Sequence, residues 1–314
     1  MREETDQTFE DALKVARMYY HLNLTTAEIG AQLGVPRPPV SRLLSWDKAH
    51  GIVELRILDH RRYQLELETS LEKKFGIAEV KVVPLGPDAT DAERREAVTR
   101  FAAHYLSSIL GPNMSLSVAW GATVSELARR LIPKPLPGMD VVQMNGSGNS
   151  GSGITYAADI ISAFAANYQA RAHLLPIPAY FDNPDTKAGM FRERYIKRVN
   201  DIAERADVAL FSIGVPDANS YIYQAGYLEK SELDRLLTDK VVGDIATVFF
   251  RADGGYKDVA MNRRSSGPAL SSLSGHRHAI CVVASEKKRE GILGALRGGY
   301  MNTLIIDEPT ARTL

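Results

Sequence analysis

Features that would point to a secreted or membrane-bound protein are scarce in this sequence. It contains a single cysteine, Cys281, so no disulfide can form within the chain, as is usual for proteins of a reducing compartment. It has no run of about 18 apolar residues, the length needed to cross a bilayer. The first eleven residues are acidic and polar, unlike a signal peptide. We therefore expect a cytoplasmic protein with no membrane partner.

The sequence also lacks an excess of charge of either sign. Lysine plus arginine and aspartate plus glutamate both total 38, so nucleic-acid binding has to be argued from local charge. Apolar residues make up 45% of the 314 residues, which allows a sizeable core and two domains of ordinary size. The seven histidines show no metal-ligand spacing, and no metal or cofactor is expected.

Residues 8–49 have the pattern of three short helices with a tight turn between the last two. Apolar residues recur at helical spacing over 8–22, Thr25 or Thr26 can cap a second helix that ends at Gly34, and a third helix covers 37–49. Six side chains are expected to lock the last two helices together: Ala27, Ile29, Leu33, Val35, Val40 and Leu43. An alternating segment over 52–57 predicts a short strand.

The spacing of the second and third helices is typical of a helix-turn-helix, whose second helix enters the DNA major groove. Arginine pairs bidentately with guanine, and serine suits a phosphate or a base. Residues 37–62 carry six basic and three acidic side chains, so positive charge is concentrated where DNA contact would fall. The predicted DNA-contacting residues are Thr26, Arg37, Ser41, Arg42 and Lys48. The alternative is a generic three-helix bundle that packs on the rest of the chain.

Beyond residue 77, short apolar strands alternate with helices. The predicted strands cover 80–85, 115–120, 141–145, 172–176, 208–213, 245–250, 279–284 and 303–307, and the predicted helices cover 91–110, 124–131, 157–168, 192–205, 231–237 and 286–296. This alternation predicts an α/β fold with a doubly wound, mostly parallel sheet. We expect a DNA-binding domain over 1–58, a linker helix over 59–76, and an effector and oligomerisation domain over 77–314.

The segment AQLGVPRPPVSRLL at 31–44 resembles the helix-turn-helix of the SorC family of regulators, which includes the sugar-type DeoR regulators; Pro36 and Pro39 replace Ser and Thr of the family pattern. Weaker family motifs follow in order: WGAT at 120–123, VQMNG at 142–146, VGDI at 242–245, ALRGG at 295–299 and TLIIDE at 303–308. The resemblance implies a winged-helix-type DNA-binding domain and an effector domain similar to the NagB/RpiA/CoA-transferase fold. It also implies a homotetramer whose affinity for operator DNA is set by a phosphorylated sugar.

Two strand-to-helix turns are candidates for the phosphate of such an effector. In WGAT, backbone N–H groups at a helix N-terminus attract anions and Gly121 allows close approach. The Gly- and Ser-rich loop over 145–153 could form a second nest of N–H donors, or else a flexible surface loop. The resemblance adds Lys288, whose alternative is a solvated helix face, and Asp244, whose alternative is structural pairing. The predicted effector-binding residues are Gly121, Ala122, Thr123, Gln143, Gly146, Ser147, Asp244 and Lys288.

Two departures from the family pattern lie near the inferred pocket. Arg251 stands where the family often has aspartate, and Ala284-Ser285 stand where it often has Gly-Gly. We therefore hypothesise an effector that differs from the commonest ones, such as a polyol-derived or less highly phosphorylated compound.

The alternative function is a sugar-phosphate isomerase or deaminase with an accessory N-terminal domain. Such an enzyme needs a positioned acid/base pair, which cannot be assigned from the sequence, so no catalytic residue is predicted. A purely structural oligomerisation protein is a third possibility, against which the DNA-reading face argues. For a regulator, linkage between effector and operator binding is the expected mechanism; repression relieved by the effector is the common sign, and activation stays open.

Overall fold

The chain forms two compact units, which meet in sequence between Asp59 and His60. The computed structural model describes residues 2–22, 24–53, 60–147, 156–218, 220–224 and 226–314. Each unit has its own apolar core, so each is described by itself.

The smaller unit contains the three predicted helices. They are α1 (Arg2–Ala16), extended by a π-helical turn at Arg17–His21, α2 (Thr26–Leu33) and α3 (Arg37–Ala49). The Thr25 side chain accepts a hydrogen bond from the Glu28 N–H, and the Glu28 carboxylate accepts one from the Thr25 N–H, which completes a capping box. Gly34 ends α2 with a φ of +68°, a conformation that suits glycine.

The packing of these helices agrees with the prediction at four of six positions. Ile29 and Val40 are buried in the core of the small unit, and Leu33 and Leu43 pack against it. The prediction was wrong for Ala27 and Val35, which are exposed. Ala27 lies two positions before Ile29 and therefore roughly 200° around the helix from it, and Val35 lies in the turn.

The strand predicted over 52–57 falls largely outside the described residues. Ile52 and Val53 are described, and they form a bend rather than a strand. Their N–H groups donate to the backbone oxygen of Asp47 near the end of α3.

The larger unit alternates strands and helices. In chain order its elements are α4 (His60–Phe75), β1 (Glu79–Val83), α5 (Asp91–Ile109), β2 (Ser115–Val118), α6 (Ala122–Ala128), β3 (Asp140–Gln143), α7 (Tyr156–Tyr168), β4 (Arg171–His173), α8 (Pro184–Met190), α9 (Arg194–Glu204), β5 (Val208–Phe211), α10 (Tyr221–Gln224), α11 (Lys230–Thr238), β6 (Val241–Ile245), β7 (Val248–Arg251), α12 (Leu270–Leu273), β8 (His278–Val283), α13 (Arg289–Arg297), β9 (Thr303–Asp307) and α14 (Glu308–Ala311).

Across the described residues, seven of these strands form one sheet in the order β1-β9-β8-β5-β2-β3-β4, and every pairing in it is parallel. Successive residues of β5 alternate between two cores: Val208 and Leu210 belong to one, Ala209 and Phe211 to the other. Both faces of the sheet are therefore covered, as in doubly wound α/β proteins. The predicted α/β class and mostly parallel sheet are confirmed.

The strand predicted over 245–250 was wrong, because two strands occupy this region. β6 and β7 pair antiparallel, and the chain reverses at Ala246 and Thr247, whose φ angles are +47° and +71°. A two-residue hairpin turn of this kind needs positive φ at both positions, which Gly or Asn normally provides. Neither residue type is present here, so the sequence carries no signal for the turn.

Helix α4 is tied to β1 by polar side chains at four-residue spacing. The Glu68 carboxylate accepts a hydrogen bond from the Val82 N–H at 2.7 Å, and the Glu72 carboxylate accepts one from the Val80 N–H at 2.9 Å. Gln64 donates to the Val82 carbonyl oxygen. The helix predicted as a linker is thus fixed along the outer strand of the sheet.

Candidate functional site

A cavity of about 310 Å³ lies at the carboxyl ends of β2, β5 and β8. The chain leaves β2 toward β3 on one side of the sheet, and it leaves β5 toward β8 on the other. The gap between β2 and β5 is therefore the point at which the direction of the strand order reverses. Ligands of open α/β sheets bind at such points.

The turn after β2 forms one wall of this cavity. Trp120, Gly121, Ala122 and Thr123, named here the β2 turn, all line it. Gly121 precedes α6 with a φ of +148°, which side-chain-bearing residues rarely adopt. The first N–H groups of α6 have no partner within the helix, so they and the Thr123 hydroxyl are donors for an anion.

Asp244 lines the cavity from the β6–β7 hairpin. Its backbone exchanges two hydrogen bonds with Gly214, and its carboxylate accepts one from the Thr247 N–H at 3.3 Å. Burial raises the pKa of Asp244 to about 6, although the Thr247 N–H and the charge of Lys288 act in the opposite direction. A side chain at Gly214 would meet the Asp244 carboxylate at 2.1 Å, so glycine there makes room for the acid.

Lys288 lines the same cavity and donates from Nζ to the Ile213 carbonyl oxygen at 2.7 Å. Burial lowers its pKa, and the Asp244 carboxylate acts in the opposite direction. The two neighbouring cations are already paired: Lys287 with Asp91 at 3.1 Å and Arg95 with Glu126 at 2.7 Å. Within the described residues Lys288 forms no ion pair, so it is the cavity cation best placed to bind an anion.

Ser285 borders the cavity in an unusual backbone conformation. Its φ is +105°, a region that costs a residue with a side chain about 1–3 kcal/mol. Its N–H donates to the Asp307 carboxylate at 3.3 Å. The family pattern often has glycine at this position, so the departure noted in the sequence places a serine in a conformation that suits glycine.

Three predicted effector residues do not line the cavity. They belong to the last residue of β3 and the turn that follows it, residues 143–147, named here the β3 turn. Gln143 donates to the Asn145 carbonyl oxygen and accepts from the Leu175 N–H, Gly146 donates from its N–H to Ser266, and Ser147 donates from its N–H to the Ile177 carbonyl oxygen. These groups have partners inside the protein. The rest of the predicted loop, 148–153, lies outside the described residues.

The β3 turn nevertheless supports the cavity from behind. The Trp120 indole N–H donates to the Gly146 carbonyl oxygen at 2.8 Å, and the Asn145 side-chain amide donates to the Thr247 hydroxyl at 3.5 Å. Trp120 belongs to the β2 turn and Thr247 to the hairpin that carries Asp244. The β2 turn and the hairpin are thus both bonded to the β3 turn.

The expectation that Arg251 lies near the pocket was wrong. Arg251 donates to the Asp239 carbonyl oxygen and forms an ion pair with Asp258 at 2.7 Å, at the end of β7 remote from the residues that line the cavity. The Arg251 side chain is therefore held by Asp239 and Asp258 and does not line the cavity.

The cavity also includes residues that are not among the predicted effector-binding residues. Ser212 and Gly214 follow β5, and the buried Ser212 hydroxyl has no hydrogen-bond partner in the described part of the chain. Asp91 and Arg95 are one helical turn apart on α5 and reach the cavity together. These residues can be assigned to the site only when it is known that β5 lies beside β2 in the sheet.

The predicted DNA-contacting residues lie at the start of α2 and along α3. Arg37, Ser41, Arg42 and Lys48 are exposed. Arg37 also donates from Nε to the Thr26 hydroxyl at 2.9 Å. Positions 37, 41 and 48 are separated by four and seven residues, so they share one helix face. Thr26 and Arg37 also line an open groove with Tyr19 and Tyr20.

The described residues contain no cluster of three or more His, Cys, Asp or Glu side chains arranged to hold a metal ion. Among them, no helix combines the length and apolar character required to span a bilayer.

Comparison with known proteins identifies the family. Residues 60–314 match the family described as "Putative sugar-binding domain". The chain is 34% identical over 303 residues to the deoxyribonucleoside regulator of Bacillus subtilis, covering 96% of each. It is 32% identical to the transcriptional regulator LsrR of Escherichia coli, covering 97% of this chain and 94% of that protein. The crystal structure of the full-length sorbitol operon regulator SorC of Klebsiella pneumoniae superposes with a TM-score of 0.72 at 30% identity, covering 98% and 99% of the two chains.

These relatives are named as regulators, so the isomerase and deaminase alternative is not supported. The matches extend over both compact units. The chain belongs to the SorC family of transcriptional regulators with a sugar-binding domain.

Proposed function

We propose that this protein binds operator DNA through α2 and α3, and that a sugar or polyol phosphate bound in the cavity sets its affinity for that DNA. The observation that carries the proposal is the composition of the cavity, in which Lys288 and the donors of the β2 turn accompany the Asp244 carboxylate. A cation and N–H donors suit a phosphate. A carboxylate accepts hydrogen bonds from sugar hydroxyls. One cavity therefore offers partners for both parts of a sugar phosphate.

The names of the relatives guide the choice of compounds. Relatives are named for a sorbitol operon and for deoxyribonucleosides, so we propose hexitol and pentose phosphates as the first effectors to test. A cavity of about 310 Å³ is at the small end of the range for ligand sites, which suits a monosaccharide phosphate.

Control of DNA binding follows from linkage. A ligand that binds one conformation of the protein more tightly than another shifts the population toward it. If the two conformations differ in operator affinity, the effector changes that affinity by the same coupling free energy by which DNA changes effector affinity. We propose that DNA release on effector binding is the operative sign, and that the active assembly is a homotetramer, which light scattering of the full-length protein would test.

The effector half of the proposal is tested by thermal unfolding of the full-length protein with a panel of pentose and hexitol phosphates and their unphosphorylated parents. We expect stabilisation by at least one phosphate and none by its parent sugar. Lys288→Met should weaken binding of that compound about 10- to 100-fold, the usual effect of losing a charged hydrogen bond. Lys287→Met is the matched control, because Lys287 is already paired with Asp91. Equal loss in both variants would contradict the assignment of Lys288.

The DNA half is tested with DNA fragments that the full-length protein selects from a random pool. Arg42→Ala should weaken binding to the selected fragment about 5- to 100-fold. Arg100→Ala removes another exposed arginine, on α5 of the larger unit, and should leave binding within about twofold. Failure to select any sequence would count against operator recognition.

A further inference from the structure

The last eight residues, 307–314, form a segment that contacts both the cavity and helix α4. At its start, Asp307 is fully buried at the end of β9. One carboxylate oxygen accepts a hydrogen bond from the Ser285 N–H at 3.3 Å, and the other accepts from the Thr310 N–H and hydroxyl at 3.1 and 2.9 Å. A single buried carboxylate thus holds the strained Ser285 on the cavity side and caps α14 on the other.

A second contact joins the segment to the residue that follows the cavity lysine. Arg289, next in sequence to Lys288, donates from Nε to the Thr313 carbonyl oxygen at 2.8 Å. Arg94 adds to this anchoring, since its guanidinium lies 2.7 Å from Glu286 and 3.7 Å from Asp307. The stretch 285–289 is therefore attached to the C-terminal segment at both of its ends.

The far end of the segment holds both ends of α4. The Arg312 guanidinium lies 4.4 Å from the centre of the Tyr63 ring and donates to the Tyr63 hydroxyl at 2.6 Å. Lys74 donates to the backbone oxygen of Leu314 at 2.5 Å. Tyr63 lies in the first turn of α4 and Lys74 in the last, so the segment contacts the helix near both of its ends.

We propose that residues 307–314 transmit occupancy of the cavity to helix α4. A ligand that contacts Ser285 or Lys288 would displace the stretch 285–289, and the Asp307 and Thr313 contacts would carry that displacement to α14 and then to Tyr63 and Lys74. In the sequence, α4 follows directly on the unit that bears the DNA-contacting residues. The inference rests on the proposed function, because it gives the route by which an effector alters DNA binding.

Packing alone would also explain a C-terminal segment fixed to its neighbours, so the test must separate transmission from stability. Arg312→Gln removes the cation over Tyr63. Arg100→Gln is a matched control, because Arg100 and Arg312 are both exposed arginines that pair with a carboxylate one helical turn earlier. The conservative variant Arg312→Lys keeps a cation that can reach the ring.

Two quantities are measured on the full-length protein: the dissociation constant of the stabilising panel phosphate, and the ratio of affinities for the selected DNA fragment without and with that phosphate. For Arg312→Gln we expect an unchanged dissociation constant for the phosphate and an affinity ratio at least fivefold smaller than in the wild type. Arg100→Gln should keep the wild-type ratio, and Arg312→Lys should recover part of it. A wild-type ratio in Arg312→Gln would overturn the proposal.

A second measurement needs no effector, and so separates failure of this inference from failure of the proposed function. Ser285→Gly relaxes the cavity end of the route. Hydrogen–deuterium exchange of the amides of residues 60–75 should change between wild type and Ser285→Gly. The change should be smaller when Arg312→Gln is present in both, because only the contact between Leu314 and Lys74 then remains. Unaltered exchange in Ser285→Gly, or the same change in both backgrounds, would overturn the inference even if a phosphate binds.

Discussion

The β2 turn and the β3 turn lie at the carboxyl ends of adjacent strands, and the sequence presented both as glycine-containing candidates for the effector. The β2 turn lines the cavity. The β3 turn is occupied by hydrogen bonds to residues 175, 177 and 266. The difference arises from strand order, because β2 borders the reversal point beside β5 and β3 does not. Glycine in a strand-to-helix turn is therefore informative about binding only when the neighbours of the strand are known.

The largest expected effect is a difference in the free energy of unfolding between an alanine substitution in the β3 turn and one in the β2 turn. A methyl group at Gly146 would meet the Pro178 and Ile177 carbonyl oxygens at 2.4 and 2.5 Å, so Gly146→Ala should lower the free energy of unfolding by about 3 kcal/mol or more. Gly121 has open space where a methyl group would lie, and Gly121→Ala should lower the free energy of unfolding by about 1–3 kcal/mol, from backbone strain alone. Urea denaturation of both variants measures this. A larger loss for Gly121→Ala would reverse the roles assigned to the two turns.

The next largest effect is a pH dependence of stability caused by Asp244, which lies in the β6–β7 hairpin that the β3 turn supports. The pKa of Asp244 is about 6 in the folded protein against 3.8 for an ordinary aspartate, so between these values the folded state binds more protons than the unfolded state. Above pH 6 the buried Asp244 carboxylate is ionised, and its burial lowers the free energy of unfolding by the full amount. As the pH falls through 6 the carboxylate takes up a proton, and the free energy of unfolding rises.

Asp244→Asn removes this titration while keeping an oxygen that can accept from Thr247. Relative to wild type, the free energy of unfolding of Asp244→Asn should be higher at about pH 8, with the difference shrinking by about 2 kcal/mol on going to about pH 4.5. Urea denaturation across this range tests the prediction. Parallel pH curves for the two proteins would show that Asp244 titrates normally.

A smaller effect compares the two turns in ligand binding. Thr123→Val removes a hydroxyl that lines the cavity and should weaken the stabilising phosphate about five- to tenfold, as expected for one lost hydrogen bond. Ser147→Ala alters the β3 turn and should change the affinity by less than about twofold. Isothermal titration of both variants decides the matter; a stronger effect of Ser147→Ala would place the phosphate at the β3 turn.

The smallest expected effect is a change in the free energy of unfolding on substitution of Ser285, which lines the same cavity as the β2 turn. Ser285→Gly removes the strain of a φ of +105° but adds flexibility to the unfolded chain. We expect a net rise in the free energy of unfolding of about 0.5–1 kcal/mol. The same change at Ser274, an exposed residue in an ordinary helical conformation, should not stabilise the protein. A loss of stability in Ser285→Gly would mean that the serine side chain outweighs the strain.

The fold could be predicted to a large extent from the sequence, because its strongest signals are local. Apolar runs of four to six residues located the strands of the parallel sheet, and the capping box at Thr25 and Glu28 located the start of α2. The turn at Ala246 and Thr247 could not be predicted, because tertiary contacts impose a conformation that neither residue type favours.

The candidate site could be predicted only in part. Gly121, Ala122, Thr123, Asp244 and Lys288 line the cavity, and for the last two the signal was the family resemblance. Gly146 and Ser147 are predicted because they follow a strand, which holds for every strand of a parallel sheet, and Gln143 is predicted as a side chain able to bind a hydroxyl group. Which strand ends face the cavity depends on strand order, a long-range property that the periodicity of the sequence does not encode.

The hydrogen bonds between α4 and β1 have a consequence for how the larger unit can be isolated. β1 is the terminal strand of the sheet, and Gln64, Glu68 and Glu72 occupy backbone groups that would otherwise be free to recruit a strand from another molecule. A fragment covering 77–314, cut where the strand pattern begins, should aggregate on purification. A fragment covering 60–314, which retains the helix, should stay dispersed at the same concentration.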